Sequence, residues 1–319
     1  MTSADSFGWY GLGSMGIGMA LNLQKHLAAK GLPPLHYSNR TLSRGDVLKE
    51  AGAVPEATLE DVVAKSNIIF TMISNDEVLQ DLISKAIDSH DSTNLSLEGK
   101  IWVDTSTVHP ETSVKCAKRL AEKGAVFVAS PVFGASPVAA SGKLIFSMAG
   151  PGAAIERLQP YIIDVMGREI INMGEDVQKS SLLKISGNIF VVGFQELIAE
   201  AQVFAEKTGL GTAQMETFIG SMFGPVLESY SKRMTTGAYA PPLDTKPGFS
   251  VDLSIKDARH AINIAADHGT TLPTISKALE RMKAAKAYAG DSLDSSSLYG
   301  TARLEAGLPF WSEKSRQGN

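Results

Sequence analysis

Along the first half of the chain, short apolar runs alternate with stretches in which apolar residues recur at helical spacing. The runs fall at residues 7–10, 35–38, 68–72, 101–103 and 126–128. Strands separated by helices predict a parallel sheet. Two further runs, 144–148 and 169–172, are expected to extend that sheet to about seven or eight strands. Between them Pro151-Gly152 turns the chain into another helix. After Gly174 the texture changes. From 177 to 207 there is no proline, and Leu183, Phe190, Phe194, Leu197, Ala201 and Phe204 recur at helical spacing, which predicts one long helix. Thr208-Gly209 stops it, Pro225 starts or kinks a later segment, and a Gly/Pro-rich loop over 237–248 precedes a helix near Asp252. The expected architecture is α/β: a doubly wound sheet domain over 1–175, then an all-α domain over 176–319 that opens with the long interdomain helix. No run is read as long and apolar enough to cross a bilayer, and no repeat period is visible.

Composition narrows the partners. The 319 residues carry 30 Lys and Arg against 34 Asp and Glu, a net charge of -4, so no basic field points to nucleic acid or an anionic membrane. A small molecule is the expected partner. The single cysteine, Cys116, cannot form an internal bridge, and the six histidines show no metal-ligand spacing, so no metal is expected. Residues 1–6 lack the basic start and apolar stretch of a leader, which makes the cytoplasm the expected compartment. The polar segment 312–319 is expected to be a frayed tail.

The first apolar run ends in Gly11-Leu12-Gly13-Ser14-Met15-Gly16, and an amphipathic helix with Ile17, Ala20, Leu21 and Gln24 follows. In that setting Gly11 permits a tight turn, Gly13 lets the backbone approach a pyrophosphate and Gly16 lets helix pack on strand. The helix amides face the anion. This predicts a Rossmann-type dinucleotide site. The second run ends in Ser38-Asn39-Arg40-Thr41, with no carboxylate for the adenosine ribose. Asn39 occupies the discriminating region, while Arg40, Arg44 and the Thr41 hydroxyl offer contacts to a 2′-phosphate, so NADP(H) is the expected cofactor.

With these residues in place the chain resembles the β-hydroxyacid dehydrogenases, the 3-hydroxyisobutyrate dehydrogenase-like family, over nearly its whole length. The stretch from Gly11 to Leu23 is similar to the family's cofactor signature. Asp104-Thr105-Ser106-Thr107-Val108-His109-Pro110 resembles its second block, Pro131-Val132-Phe133-Gly134-Ala135 with Gly142-Lys143-Leu144 its third, Lys184-Ile185-Ser186-Gly187-Asn188 its fourth and Lys256-Asp257 its fifth. The resemblance implies hydride transfer between NADP(H) and a small carbonyl or β-hydroxyacid, with Lys184 as general acid/base. It implies that Asn188, one turn later, orients substrate or lysine, and that Ser106 contacts substrate or nicotinamide. Met72, Ile73, Ser74, Thr105 and Lys256 fall on the cofactor side, and Phe133, Gly134 and Ala135 on the substrate side. Thr107 is the expected helix cap, and His109 is read as structural. The resemblance also implies a homodimer built on the long helix.

One departure stands out. The family's third block usually carries Ser-Gly-Gly where this chain has Phe133-Gly134-Ala135, which implies a pocket reshaped toward more apolar substrates if the ring lines it, or a carboxylate site kept by backbone amides alone if the ring points into the core. Imine reductases share the architecture but carry Asp or Tyr at the position of Lys184, and 6-phosphogluconate dehydrogenases need a longer helical domain. A binding or scaffold protein without turnover is the alternative from outside enzymology.

Overall fold

The computed structural model describes residues 5–93 and 95–318. Residues 1–4, on which most of the leader reading rests, and Asn319 lie outside them. Six strands form the main sheet: β1 (Phe7–Tyr10), β2 (His36–Ser38), β3 (Val54–Pro55), β4 (Ile68–Thr71), β5 (Ile101–Asp104) and β6 (Val126–Ala129). Their order is β3-β2-β1-β4-β5-β6, and every pairing is parallel. Between them run α1 (Gly16–Ala29), α2 (Asp46–Glu50), α3 (Leu59–Lys65), α4 (Asp76–Ser92) and α5 (Pro110–Ala121).

Apolar side chains on both faces explain why the strands read as continuous apolar runs. On one side Trp9 stacks on Phe70 at 5.4 Å and packs with Met19, Leu23 and Leu27 of α1. On the other, Trp102 and Phe127 pack with Leu79, Leu82 and Ile83 of α4 and with Cys116 and Leu120 of α5. Because strand order reverses between β1 and β4, the loops leaving them open a crevice at the carboxyl edge, the usual place for a ligand in such sheets.

The later strands do not extend this sheet, contrary to the expectation from sequence. After β6 come β7 (Val132–Phe133), α6 (Ser136–Ala140), β8 (Leu144–Met148), α7 (Gly152–Ile162) and β9 (Gly167–Asn172). The three strands form their own sheet, with β7 antiparallel to β8 and β8 parallel to β9. An antiparallel bridge between Ala129 and Ala149 links the two sheets. Pro131 has no N–H with which to continue the β6 ladder, and its carbonyl accepts instead from the Ser147 amide at 2.9 Å.

The second half is helical: α8 (Val177–Thr208), α9 (Thr212–Phe223), α10 (Pro225–Thr235), α11 (Val251–Asp267), α12 (Pro273–Ala289) and α13 (Leu298–Glu305). Two compact units result, one ending at Lys184 and the other beginning at Ile185, so the division falls inside α8. The second unit has its own core, in which Val192, Ala199 and Val203 of α8 meet Val251, Ala258, Ile275, Met282 and Phe310.

Two expectations are corrected here. At 32 residues, with a window of mean hydropathy 1.4, α8 is long and apolar enough to cross a membrane by length and composition, and 39% of that window is buried inside the protein. Between Lys184 and Glu206 its charged residues are Glu196 and Glu200 alone, which leaves such a window. The terminal segment is also held down: the Arg316 guanidinium donates to the Ala289 carbonyl at 2.6 Å and lies 5.4 Å from the Trp311 ring, and Ser315 is buried.

Candidate active site

The glycine loop joins β1 to α1. Gly11 has φ 101°, and a Cβ there would lie 2.2 Å from the Met72 carbonyl oxygen. At Gly16 a Cβ would lie 2.1 Å from the Gly11 carbonyl oxygen, whereas at Gly13 it would meet nothing within 4 Å. Two glycines are thus demanded by the chain's own packing, and the middle one opens onto space that a phosphate could enter. Helix α1 has no side-chain cap at Met15, which leaves its first amides for an anion. The Leu12 amide donates to Asn39 Oδ1 at 2.9 Å, and Asn39 Nδ2 donates to the Thr41 carbonyl at 2.8 Å. Asn39 is therefore spent on tying the loop to the end of β2, while Ser14, Arg40, Thr41 and Arg44 are exposed.

The ends of β4 and β5 are knotted together beside this loop. Asp104 is buried and accepts from Thr71 Oγ1 at 2.8 Å and Ser106 Oγ at 2.7 Å. Ser106 Oγ in turn accepts from the Ile73 amide at 2.9 Å, and Thr105 Oγ1 donates to the Thr71 carbonyl at 2.7 Å. Ser106 and Thr105 are each 1% exposed, so both hydroxyls hold the loops from within. Met72 and Ile73 are half-buried and Ser74 is exposed. The helix cap is His109 rather than Thr107. Its Nδ1 accepts from the Glu111 amide at 3.3 Å, with Pro110 as the first helical residue; the fixed φ of that proline places the cap immediately before it.

Lys184, the last residue of the first unit, carries its Nζ 4.8 Å from the centroid of the Phe133 ring. Phe133 is half-buried on β7, in register with Ile145 of β8. Gly134 follows at φ 132°, where a Cβ would lie 2.6 Å from Leu144, and Ala135 precedes α6 as its cap residue.

In the second unit Asn188 is buried and donates through Nδ2 to Asp257 Oδ2 at 2.6 Å. From sequence, Asp257 is legible only as the neighbour of Lys256, although a carboxylate on the apolar side of an alanine-rich helix is the available signal. Lys256 Nζ lies 3.3 Å from Asp257 Oδ1 and faces an open basin of about 620 Å³ between α11 and α12, lined among others by Asp252, Arg259, His260, Lys283 and Lys286. Among the described residues no group of three or more His, Cys, Asp or Glu is placed to hold a metal ion.

An open glycine at the reversal point of a parallel sheet, followed by an uncapped helix, defines an NAD(P)-binding oxidoreductase domain. Residues 6–174 match the family model described as the NAD binding domain of 6-phosphogluconate dehydrogenase, and residues 179–302 that of the NAD-binding region of NADP-dependent 3-hydroxyisobutyrate dehydrogenase. The chain belongs to the β-hydroxyacid dehydrogenase family. It is 29% identical to the NADH-dependent oxidoreductase ucdB of Aspergillus ustus, over 93% of this chain and 98% of that protein. Identity to glyoxylate/succinic semialdehyde reductase 1 of Arabidopsis thaliana is also 29%, over 91% and 96%. Its fold is shared with the Mycobacterium tuberculosis 3-hydroxyisobutyrate dehydrogenase solved with L-serine, at a TM-score of 0.76 and 24% identity over 94% of this chain and 100% of that one.

Proposed function

We propose that the protein is an NADP-dependent reductase of small carbonyl compounds, with Lys184 as the group that gives the substrate oxygen its proton. The observation that carries this reading is the place of Lys184: it closes the same compact unit that holds the glycine loop, with its ammonium against Phe133. When bound, the reduced cofactor supplies the hydride that arrives at carbon. Lys184 then donates a proton to the oxygen, giving the alcohol, and the neutral amine takes that proton back in the oxidative direction. Asn188, fixed by Asp257 one turn along α8, orients the substrate or the lysine. Ser106 acts as a positioning residue, because its hydroxyl is committed to Asp104 and Ile73. Gly11, Gly13, Gly16 and the α1 amides would hold the pyrophosphate, with Leu12, Ser14, Met15, Met72, Ile73, Ser74, Thr105 and Lys256 as further cofactor contacts.

The preference for NADP rests on the exposed Arg40, Thr41 and Arg44 beside an Asn39 that is already engaged. The NADH dependence in the name of the Aspergillus relative makes this a point to measure. Aldehyde acids, in keeping with the name of the Arabidopsis relative, are the first substrates to try. A second copy of the chain is the proposed partner, seated on the exposed apolar stripe of α8, and the cytoplasm is the proposed compartment.

The test follows NADPH and NADH absorbance separately against glyoxylate, succinic semialdehyde, an apolar aldehyde and a cyclic imine, for the native chain and Lys184→Ala. The expected result is carbonyl reduction favouring NADPH, reduced about 10²–10⁴-fold in kcat by the substitution, with NADPH still bound. Equal rates in the variant would remove Lys184 from the mechanism, turnover of the imine alone would move the protein to imine reduction, and no turnover at all would favour the scaffold reading.

A further inference from the structure

We infer that Phe133 sets the substrate class, favouring beside Lys184 carbonyl compounds whose flanking group is apolar rather than a carboxylate. The inference rests on the reading of Lys184 given above and narrows it. An ammonium 4.8 Å from a ring centroid is within cation–π reach. The ring holds the charge without accepting its protons, so the N–H groups of Lys184 are not diverted to it. The same ring offers no donor. A substrate group that packs on the ring meets an apolar surface, against which a carboxylate loses hydration and gains no hydrogen bond from the ring.

The surroundings reinforce this. From Ala125 to Gly142 the chain contains no charged residue. Next to Phe133, Gly134 has φ 132°, and a Cβ there would lie 2.6 Å from Leu144 and 3.0 Å from Val138, so the position following the ring has no room for a side chain. Strand β7 itself is anchored through Phe133 and Ile145 in the antiparallel ladder, which places the ring on a fixed support and not on a loop. An alkyl or aryl group has none of these costs, and each added methylene against such a wall is worth about tenfold or more in selectivity.

The experiment compares hexanal with succinic semialdehyde, which has the same number of non-hydrogen atoms, in the native chain and in Phe133→Ser, Phe133→Leu and Phe133→Tyr. The native kcat/KM should favour hexanal at least about tenfold. Phe133→Ser should collapse that ratio by about tenfold or more, chiefly through KM, while Phe133→Tyr keeps it. Phe133→Leu should keep the preference for hexanal but lower kcat severalfold, since apolar bulk remains and the π face is lost; a purely structural ring would not divide KM from kcat in this way. In parallel, binding of hexanamide and of succinamate, which are not reduced, is followed by quenching of bound NADPH fluorescence. A native preference for succinic semialdehyde and succinamate, or a ratio unmoved in Phe133→Ser, overturns the inference. Turnover that survives Lys184→Ala overturns the mechanism instead, and the amide affinities still decide the role of Phe133.

Discussion

Glu196 shows how one buried residue couples this fold to pH. It lies on α8 with its side chain 3% exposed, paired with the Arg281 guanidinium. Burial raises its pKa from 4.5 to about 7, outweighing the pull of Arg281 in the other direction. The folded chain therefore keeps this proton up to about pH 7, while the unfolded chain releases it near pH 4.5. Between those values the native state binds more protons, so this residue's contribution to stability falls as pH rises and is level above pH 7. Urea denaturation of the native chain and of Glu196→Gln should show it: the stability difference, native minus variant, should be larger at pH 5 than at pH 8 by about 1–3 kcal/mol. A difference independent of pH would contradict this assignment. At this scale, what could be read from sequence was what neighbours in sequence decide. Gly11, Gly13 and Gly16 declare themselves within six positions, and their packing follows. The bonds of Asn39, the pairing of Asn188 with Asp257 and the burial of Ser106 depend on partners far along the chain, and periodicity carries no trace of them.

Helix α8 was legible as an element and misleading in its faces. The apolar positions that announced it include Phe190, Leu197 and Phe204, and these are exposed at 64%, 59% and 61%. Spaced seven residues apart, they form one stripe. The face turned to the core holds Val192, Ala199 and Val203 together with the buried Gln195 and Gln202, so its pattern is diluted by amides and the outward stripe is the stronger signal. Phe218, Met222 and Phe223 of α9 are likewise exposed. This exposed apolar surface is the observation on which the proposed homodimer rests. Leu197→Asp should halve the mass seen by light scattering at micromolar concentration while leaving NADPH affinity within about twofold, since the glycine loop lies in the other unit. A native chain that is already monomeric would exclude the dimer. The main sheet was readable because both faces of its strands are buried. The second sheet was not, because β7 is two residues long and the switch away from β6 depends on Pro131 and a bridge at Ala129.

For the molecule as a whole, Cys116 offers a measure of cooperativity. It is fully buried on the inner face of α5, and burial raises its thiol pKa to about 12. Thiolate and access are both withheld in the native state, so alkylation by iodoacetamide should be negligible in buffer and should follow the unfolding of the first unit in urea. Comparison with tryptophan fluorescence would then tell whether the two units melt together. Rapid labelling in buffer would show that the α5 side of the sheet opens far below global unfolding. The division into an α/β half and a helical half was visible in the change of texture after Gly174, but its position inside α8 depends on contacts that no local pattern encodes. The silence of the one native thiol has a practical use. A cysteine placed on the surface of each unit would be the only reactive group there, so donor and acceptor dyes could be attached to an otherwise unaltered chain, and the separation of its halves followed by energy transfer as ligands are added.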